Sequence, residues 1–170
     1  MAKKLEPANL REILPMLHHG GVDFIVIGGG AAVVYGLARI TLDVDVVYSR
    51  EIENIRRLVR AVAPSSPYPR DAPPGLPFRF DEGTLRLGMN FTLTTTLGHL
   101  DLLGEVVGSG GYLELLPYTE VIESYGLPIR YVTLERLIHL KRAAGRPKDF
   151  EVLAELEALK EERDRKGKQS

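Results

Sequence analysis

Two aspartates spaced for one face of a strand are the residues of this chain best suited to chemistry. Asp43 and Asp45 open the segment DVDVVY at residues 43–48, whose valines predict a β-strand. Because side chains alternate along a strand, both carboxylates point the same way, about 7 Å apart at Cβ. Ionised carboxylates about 5 Å apart repel by about 3 kcal/mol at an effective dielectric of about 20. A divalent cation removes that repulsion, and carboxylate oxygens suit Mg²⁺. The pair therefore predicts a cation site.

A run of glycines shortly before the aspartates is suited to phosphate. Gly28 and Gly29 follow a predicted buried strand at residues 22–27 and precede the apolar, helix-compatible residues 31–35. Without a Cβ, the backbone N–H groups of such a turn can approach phosphate oxygens closely. Phosphate and cation would then be neighbours.

Three further residues could complete a phosphoryl-transfer site. Arg39 and Thr41 stand just before the aspartates, where a guanidinium could grip a phosphate and a hydroxyl could hold the turn. Asp101, in the apolar segment HLDLL on a separate predicted strand, supplies a third carboxylate. Three carboxylates on adjacent strands suffice for a two-metal centre, with the third placed to deprotonate an attacking hydroxyl.

At these residues the chain resembles the DNA polymerase β-like nucleotidyltransferase superfamily, specifically the small bacterial proteins related to AbiEii-type abortive-infection toxins. The resemblance rests first on a spaced set of residues: Gly28, Gly29, Ala31, Gly36, Arg39, Thr41, Asp43, Asp45 and Asp101. A second stretch, VTLERLIHLK followed by GRPKD within residues 132–156, adds to it.

The resemblance implies a function and a role for each site residue. The protein would transfer a nucleoside monophosphate from an NTP to an acceptor hydroxyl, with Mg²⁺ or Mn²⁺ as cofactor. The acceptor would be RNA such as tRNA, a protein or a small molecule, and a cognate toxin or antitoxin would be a partner. The implied roles are nucleotide binding for Gly28, Gly29 and Lys141, and metal binding and catalysis for Asp43, Asp45 and Asp101. Arg39 and Thr41 are added to the nucleotide-binding residues because of their position just before the aspartates.

One departure from the family favours an alternative of another class. Many active members of the wider superfamily have serine where this chain has Gly29, so the phosphate loop lacks a hydroxyl. The alternative is a catalytically weak module of the same fold that binds a nucleotide or a protein partner without turnover.

Other interpretations of the same residues carry less weight. A dinucleotide-binding fingerprint would need a small residue where Val33 stands, and its acidic residue would end the second strand rather than begin it. Ser109 lacks the preceding glycine of a hydrolase elbow, which indicates a turn. Taken singly, the aspartates could be solvated or capping residues, and Lys141 could lie along its helix. His99 is expected to point away from Asp101, and Asp149 to cap the last helix.

The remaining sequence predicts an α+β domain with a mixed β-sheet flanked by helices and C-terminal helices. Six of the eleven prolines fall at residues 64–77, which indicates a loop, expected to be mobile and near the mouth of the cleft. The other predicted elements are helices at 10–17 and 51–62, strands at 78–80, 86–97 and 100–103, and two helices after residue 132, the first capped by Thr133.

Composition narrows the class of protein. The chain has 22 Lys plus Arg against 23 Asp plus Glu and no Cys, which excludes disulfides, thiolate zinc sites and a catalytic thiol. A net charge of −1 gives no general attraction for polyanions. The longest weakly charged stretch, residues 24–38, is too short for a membrane helix, and the first residues lack the pattern of a signal peptide. We therefore expect a cytoplasmic protein without membrane contact, with one domain at residues 1–162 and a frayed charged tail at 163–170.

Overall fold

A seven-stranded sheet with helices packed against it forms the computed structural model, which describes residues 6–169. Residues 1–5, where the predicted domain begins, and residue 170, where the predicted tail ends, lie outside the described residues. The strands are β1 Phe24–Ile27, β2 Asp43–Tyr48, β3 Tyr68–Pro69, β4 Asn90–Thr95, β5 Gly98–Leu103, β6 Thr119–Ser124 and β7 Leu127–Val132. The helices are α1 Leu10–His19, α2 Gly28–Val34, α3 Ile52–Val62, α4 Glu82–Leu87, α5 Tyr112–Leu115, α6 Leu134–Ala144 and α7 Pro147–Gly167, with 3₁₀ turns at Ala63–Ser65 and Leu116–Tyr118.

The sheet is mixed, as predicted. Its strand order is β3-β4-β5-β2-β1-β7-β6. The pairs β2–β5 and β1–β7 are parallel, and the other neighbours are antiparallel. The interior strand β1 is buried along its whole length, which explains its uninterrupted apolar sequence. The helices form two packed groups, α1–α3–α4 and α2–α6–α7.

The segment predicted as one strand at residues 86–97 is a helix followed by a strand. Asp81 caps α4 by accepting a hydrogen bond from the backbone N–H of Thr84 at 2.8 Å. This cap starts a short helix that continues through Leu87, whose side chain is exposed, and β4 begins only at Asn90. Residues 78–80, also predicted as a strand, form no regular element, although Phe78 and Phe80 pack against the core.

The proline-rich segment contains a short strand that the sequence did not predict. In β3, Tyr68 pairs with Thr94 and Pro69 with Leu93 of β4. Proline, which has no backbone N–H, is tolerated there because β3 is an edge strand with no neighbouring strand on its outer side. The backbone N–H of Arg70 extends the pairing to the carbonyl of Thr92 at 2.9 Å. The mobility of the segment stays a prediction.

The C-terminal half contains a hairpin and a long last helix. The β6–β7 hairpin was not predicted, and its turn at Tyr125 and Gly126 has positive φ at both residues, 56° and 76°. Helix α7 continues to Gly167, so helical structure extends beyond residue 162, where we expected the ordered domain to end. Among residues 6–169, no helix is both long and apolar enough to cross a membrane.

Candidate active site

The pairing of β2 with β5 brings the three predicted carboxylates together. In this parallel register Asp45 lies opposite Asp101, and Asp43 lies opposite His99. The period of two therefore puts Asp43, Asp45 and Asp101 on one face of two neighbouring strands. The carboxyl groups of Asp45 and Asp101 share a hydrogen bond.

This convergence changes the protonation of Asp45. Burial raises the pKa of its carboxyl group, and the charges of Asp101 and Asp43 raise it further, to about 8. The positive charge of Lys141 opposes that rise. Without a bound cation, Asp45 therefore keeps its proton at neutral pH.

Arg70 bridges two of the carboxylates. Its Nη2 lies 2.5 Å from Oδ1 of Asp101 and 3.0 Å from the carbonyl oxygen of Leu93, and its Nη1 lies 3.3 Å from Oδ1 of Asp43. The Arg70 side chain is 17% exposed, which is little for an arginine. No local sequence pattern signals this role, because Arg70 reaches the site only through the pairing of β3 with β4.

His99 belongs to the site, and the expectation that it points away was wrong. Its Nδ1 lies 3.1 Å from Oδ1 of Asp43. Residues two apart on a strand share a face, so the position of His99 relative to Asp101 already predicted this orientation. The imidazole and Arg70 thus contact the same oxygen of Asp43.

The predicted phosphate turn lies directly against the carboxylates. Gly28 has φ of 62°, and a Cβ placed on it would lie 2.3 Å from Oδ2 of Asp45. A Cβ on Gly29 would lie 2.3 Å from Oγ1 of Thr41, which itself donates to the carbonyl oxygen of Asp43 at 3.1 Å. Only glycine fits at either position without displacing a site residue. No side chain caps α2, which begins at this turn.

Arg39 is directed elsewhere by its partners on α7. Its Nη2 lies 2.5 Å from Oε1 of Glu155 and 3.8 Å from Oε2 of Glu151. The structure therefore places the predicted phosphate-gripping guanidinium in a surface ion pair, away from the carboxylates that Arg70 contacts.

Lys141 lies near the site and is tied to a buried acid. Its Nζ is 3.3 Å from Oδ1 of Asp149, and Nε of Arg146 is 2.8 Å from Oδ2 of the same carboxylate. Burial would raise the pKa of Asp149, but the hydrogen bond from Arg146 and the charge of Lys141 together lower it. We expected Asp149 to cap α7, but the helix begins before it, at Pro147, so this prediction was wrong. Asp149 fixes Lys141 and Arg146 instead.

The donor set suits a hard divalent cation, although the ligands are not in place around one. Carboxylate oxygens are the ligands that Mg²⁺ and Mn²⁺ prefer, and a bound cation would relieve the repulsion that raises the pKa of Asp45. In the part of the chain that the structure describes, however, no three His, Asp or Glu side chains are arranged to hold an ion. The guanidinium of Arg70 instead holds oxygens of Asp43 and Asp101.

Comparison with known proteins identifies the fold. No family model matches the sequence, and no curated protein matches it either. Among solved structures, the lincosamide antibiotic adenylyltransferase LnuA, bound to lincomycin, superposes with a TM-score of 0.62 at 14% identity, covering 91% of this chain and 99% of that one. A protein from Thermotoga maritima described as a candidate nucleotidyltransferase superposes with a TM-score of 0.55 at 17% identity, covering 86% and 88%. The chain therefore has the nucleotidyltransferase fold.

Proposed function

We propose that the protein is a nucleotidyltransferase dependent on Mg²⁺ or Mn²⁺, which moves a nucleoside monophosphate from an NTP to an acceptor hydroxyl and releases pyrophosphate. The observation that carries this proposal is the convergence of Asp43, Asp45 and Asp101 beside the Gly28–Gly29 turn. Cations held by these carboxylates would neutralise charge on the phosphates and polarise the phosphorus that is attacked.

The three aspartates would have different roles in cation binding and proton transfer. Asp43 and Asp45 would hold the cation that accompanies the triphosphate, while Asp101 would complete the cation ligands, orient the acceptor hydroxyl and take its proton. The hydroxyl oxygen forms the new bond to the α-phosphorus, and the bond from that phosphorus to the pyrophosphate oxygen breaks. Asp43, Asp45 and Asp101 must all be ionised to do this. Because the pKa of Asp45 is raised, cation binding must release its proton.

The phosphates of the nucleotide would lie against the glycine turn. Gly28 and Gly29, which have no Cβ, would offer their backbone N–H groups to phosphate, and the Thr41 hydroxyl lies against Gly29. Lys141 is close enough to act on the charge of Asp45 and would also attract phosphate. Arg39 could join them only by leaving Glu155, so its contribution is the smaller one.

Of the three expected acceptor classes, RNA, protein and small molecule, the small hydroxyl-bearing molecule gains support from the structural neighbour LnuA, an adenylyltransferase bound to lincomycin. The near-neutral net charge gives no electrostatic preference for tRNA. Membership of the AbiEii-like group, a toxin–antitoxin partner and a cytoplasmic location remain parts of this proposal.

A transfer assay with α-³²P-labelled NTPs and Mg²⁺ or Mn²⁺ tests the activity, with total RNA, proteins and hydroxylated small molecules as acceptors. We expect label transfer by the parent chain. Asp43→Asn and Asp45→Asn should weaken both NTP binding and transfer. Asp101→Asn should leave NTP affinity within a few-fold and lower transfer by the ~10² to 10⁴ typical of a lost general base. Asp164→Asn, which removes an exposed charge on α7, is the matched control.

The binding module remains the second candidate because of two observations. Gly29 adds no hydroxyl to the phosphate turn, and Arg70 holds two of the carboxylates. Calorimetry with a non-hydrolysable NTP distinguishes the two functions. Binding that depends on Asp43 without any transfer would favour the module, whereas an unchanged response in all three aspartate variants would remove the nucleotide site altogether.

A further inference from the structure

The guanidinium of Arg70 neutralises part of the negative charge at the candidate site, as a bound cation would. Its Nη1 and Nη2 contact Oδ1 of Asp43 and Oδ1 of Asp101, at 3.3 and 2.5 Å. The Asp101 side chain is 16% exposed, so its charge is poorly solvated and depends on a nearby positive group. Arg70 therefore stabilises the pair of carboxylates by occupying their oxygens.

The bonding of Arg70 is incomplete. Its Nε is buried and has no hydrogen-bond partner among the described residues. A buried N–H group without a partner destabilises the arrangement that contains it. Arg70 also contacts each carboxylate through a single oxygen rather than through the paired bonds of a bidentate contact. The guanidinium is thus held by charge more than by geometry.

The backbone that carries Arg70 is easily displaced. Arg70 follows the two-residue edge strand β3 and precedes Asp71, which has a positive φ of 65°. Short edge segments with few backbone hydrogen bonds open at low free-energy cost. Movement of this segment would withdraw the guanidinium from Asp43 and Asp101 together, without disturbing β2 or β5.

We propose that Arg70 is a positioning residue that competes with a divalent cation for Asp43 and Asp101. This inference rests on the proposed function, because it concerns the cation of that site. Arg70 keeps the two carboxylates close together on neighbouring strands and gives up their oxygens when the ion binds. Cation binding is thereby coupled to release of the segment that follows β3.

Calorimetric titration of the full chain with Mn²⁺, without nucleotide, tests the competition. Arg70→Gln should bind Mn²⁺ about ten-fold more tightly than the parent, because the ion no longer has to displace a charge-assisted contact. Arg79→Gln removes the same charge from an exposed position in the same segment and should stay within two-fold of the parent. Without metal, Arg70→Gln should melt at a lower temperature than the parent, and saturating Mn²⁺ should reduce that difference.

A second variant guards against failure of Arg70→Gln to fold. Arg70→Lys keeps the charge, but its single ammonium cannot span both carboxylates as the guanidinium does, so its Mn²⁺ affinity should be intermediate. Equal or weaker Mn²⁺ binding by a folded Arg70 variant would overturn the competition, while metal-dependent transfer by the parent would leave the proposed function standing. If neither parent nor variants bind Mn²⁺ and no label is transferred, both proposals are wrong.

Discussion

At the residue scale, the site combines groups that are unfavourable together without a cation. Asp45 stands opposite Asp101 and beside Gly28, where no other residue fits because a Cβ would meet its carboxylate. Burial and neighbouring negative charge raise the pKa of Asp45 to about 8, from an ordinary value of 3.8. Strongly shifted pKa values of this kind cluster at functional sites of folded proteins.

The raised pKa predicts how the stability of the metal-free protein depends on pH. The folded state binds the Asp45 proton more tightly than the unfolded state, so the stabilisation is fully present below about pH 4 and is lost as pH rises through about 8. The side chain of Asp45→Asn does not titrate, so the variant lacks this pH dependence. Urea unfolding in EDTA should therefore show the variant gaining stability relative to the parent as pH rises from 5 through 8, with the gain levelling off above about pH 9.

The control for this comparison is Asp164→Asn, whose carboxylate is exposed on α7. Its unfolding curves should run parallel to those of the parent at every pH. Parallel curves for Asp45→Asn as well would contradict the burial of a proton at the site.

At the scale of the elements, α6 positions Lys141 and depends on its first turn. Thr133 accepts a hydrogen bond from the backbone N–H of Arg136 at 3.2 Å, as the sequence predicted. Thr133→Ala should lower the free energy of unfolding by about 1 kcal/mol, the usual contribution of a helix N-cap, while Thr133→Ser should leave it nearly unchanged. Chemical denaturation measures both. An equal loss in the two variants would mean that the methyl group, and not the hydroxyl, stabilises this end of the helix.

Local patterns predicted the elements that carry the carboxylates, since the alternation in β2 and the apolar β5 are visible in the sequence. The same alternation suggested a strand through Leu87 and Met89, where the Asp81 cap starts α4 instead. In this segment the sequence carries signals for both a helix cap and a strand, and the cap at Asp81 determines that residues 82–87 are helical.

Tertiary pairing explains what the sequence could not predict. Arg70 enters the site because a two-residue edge strand pairs with β4, which in turn pairs with β5, and no pattern near Arg70 encodes that order. Arg39 was assigned to phosphate by its closeness to Asp43 in sequence, but α7 returns to place Glu155 beside it. The β6–β7 hairpin is a different case, since the Tyr125–Gly126 turn is a local signal that favours a two-residue hairpin loop.

At the scale of the whole molecule, the parallel pairing of β2 and β5 ties the carboxylates to the stability of the fold. Asp43 and Asp45 come from one of these strands and Asp101 from the other, and both strands lie in the interior of the sheet. An ion bound by all three can therefore exist only while the central sheet is folded. Anything that binds the folded state alone stabilises it by mass action.

Divalent cations should consequently raise the melting temperature of the whole protein. At a concentration about 100 times the dissociation constant, Mg²⁺ or Mn²⁺ adds about 2.7 kcal/mol, which for a chain of this size corresponds to a rise of roughly 5–10 °C. Asp43→Asn combined with Asp45→Asn should abolish the rise. Differential scanning calorimetry with and without metal measures it, and Asp23→Asn combined with Asp164→Asn, both at exposed side chains, should keep the full rise.

The metal-free melting temperatures decide whether the pair serves function or structure. In EDTA at about pH 9, where Asp45 is ionised, replacing Asp43 and Asp45 removes their mutual repulsion, which offsets the lost contacts of Asp43 with Arg70 and His99. The double variant should therefore be no less stable than the parent at that pH. A variant that melts well below the parent in EDTA would show that the carboxylates hold the sheet together through Arg70. Their convergence would then be a structural ion pair network, and the cation would have no need to bind there.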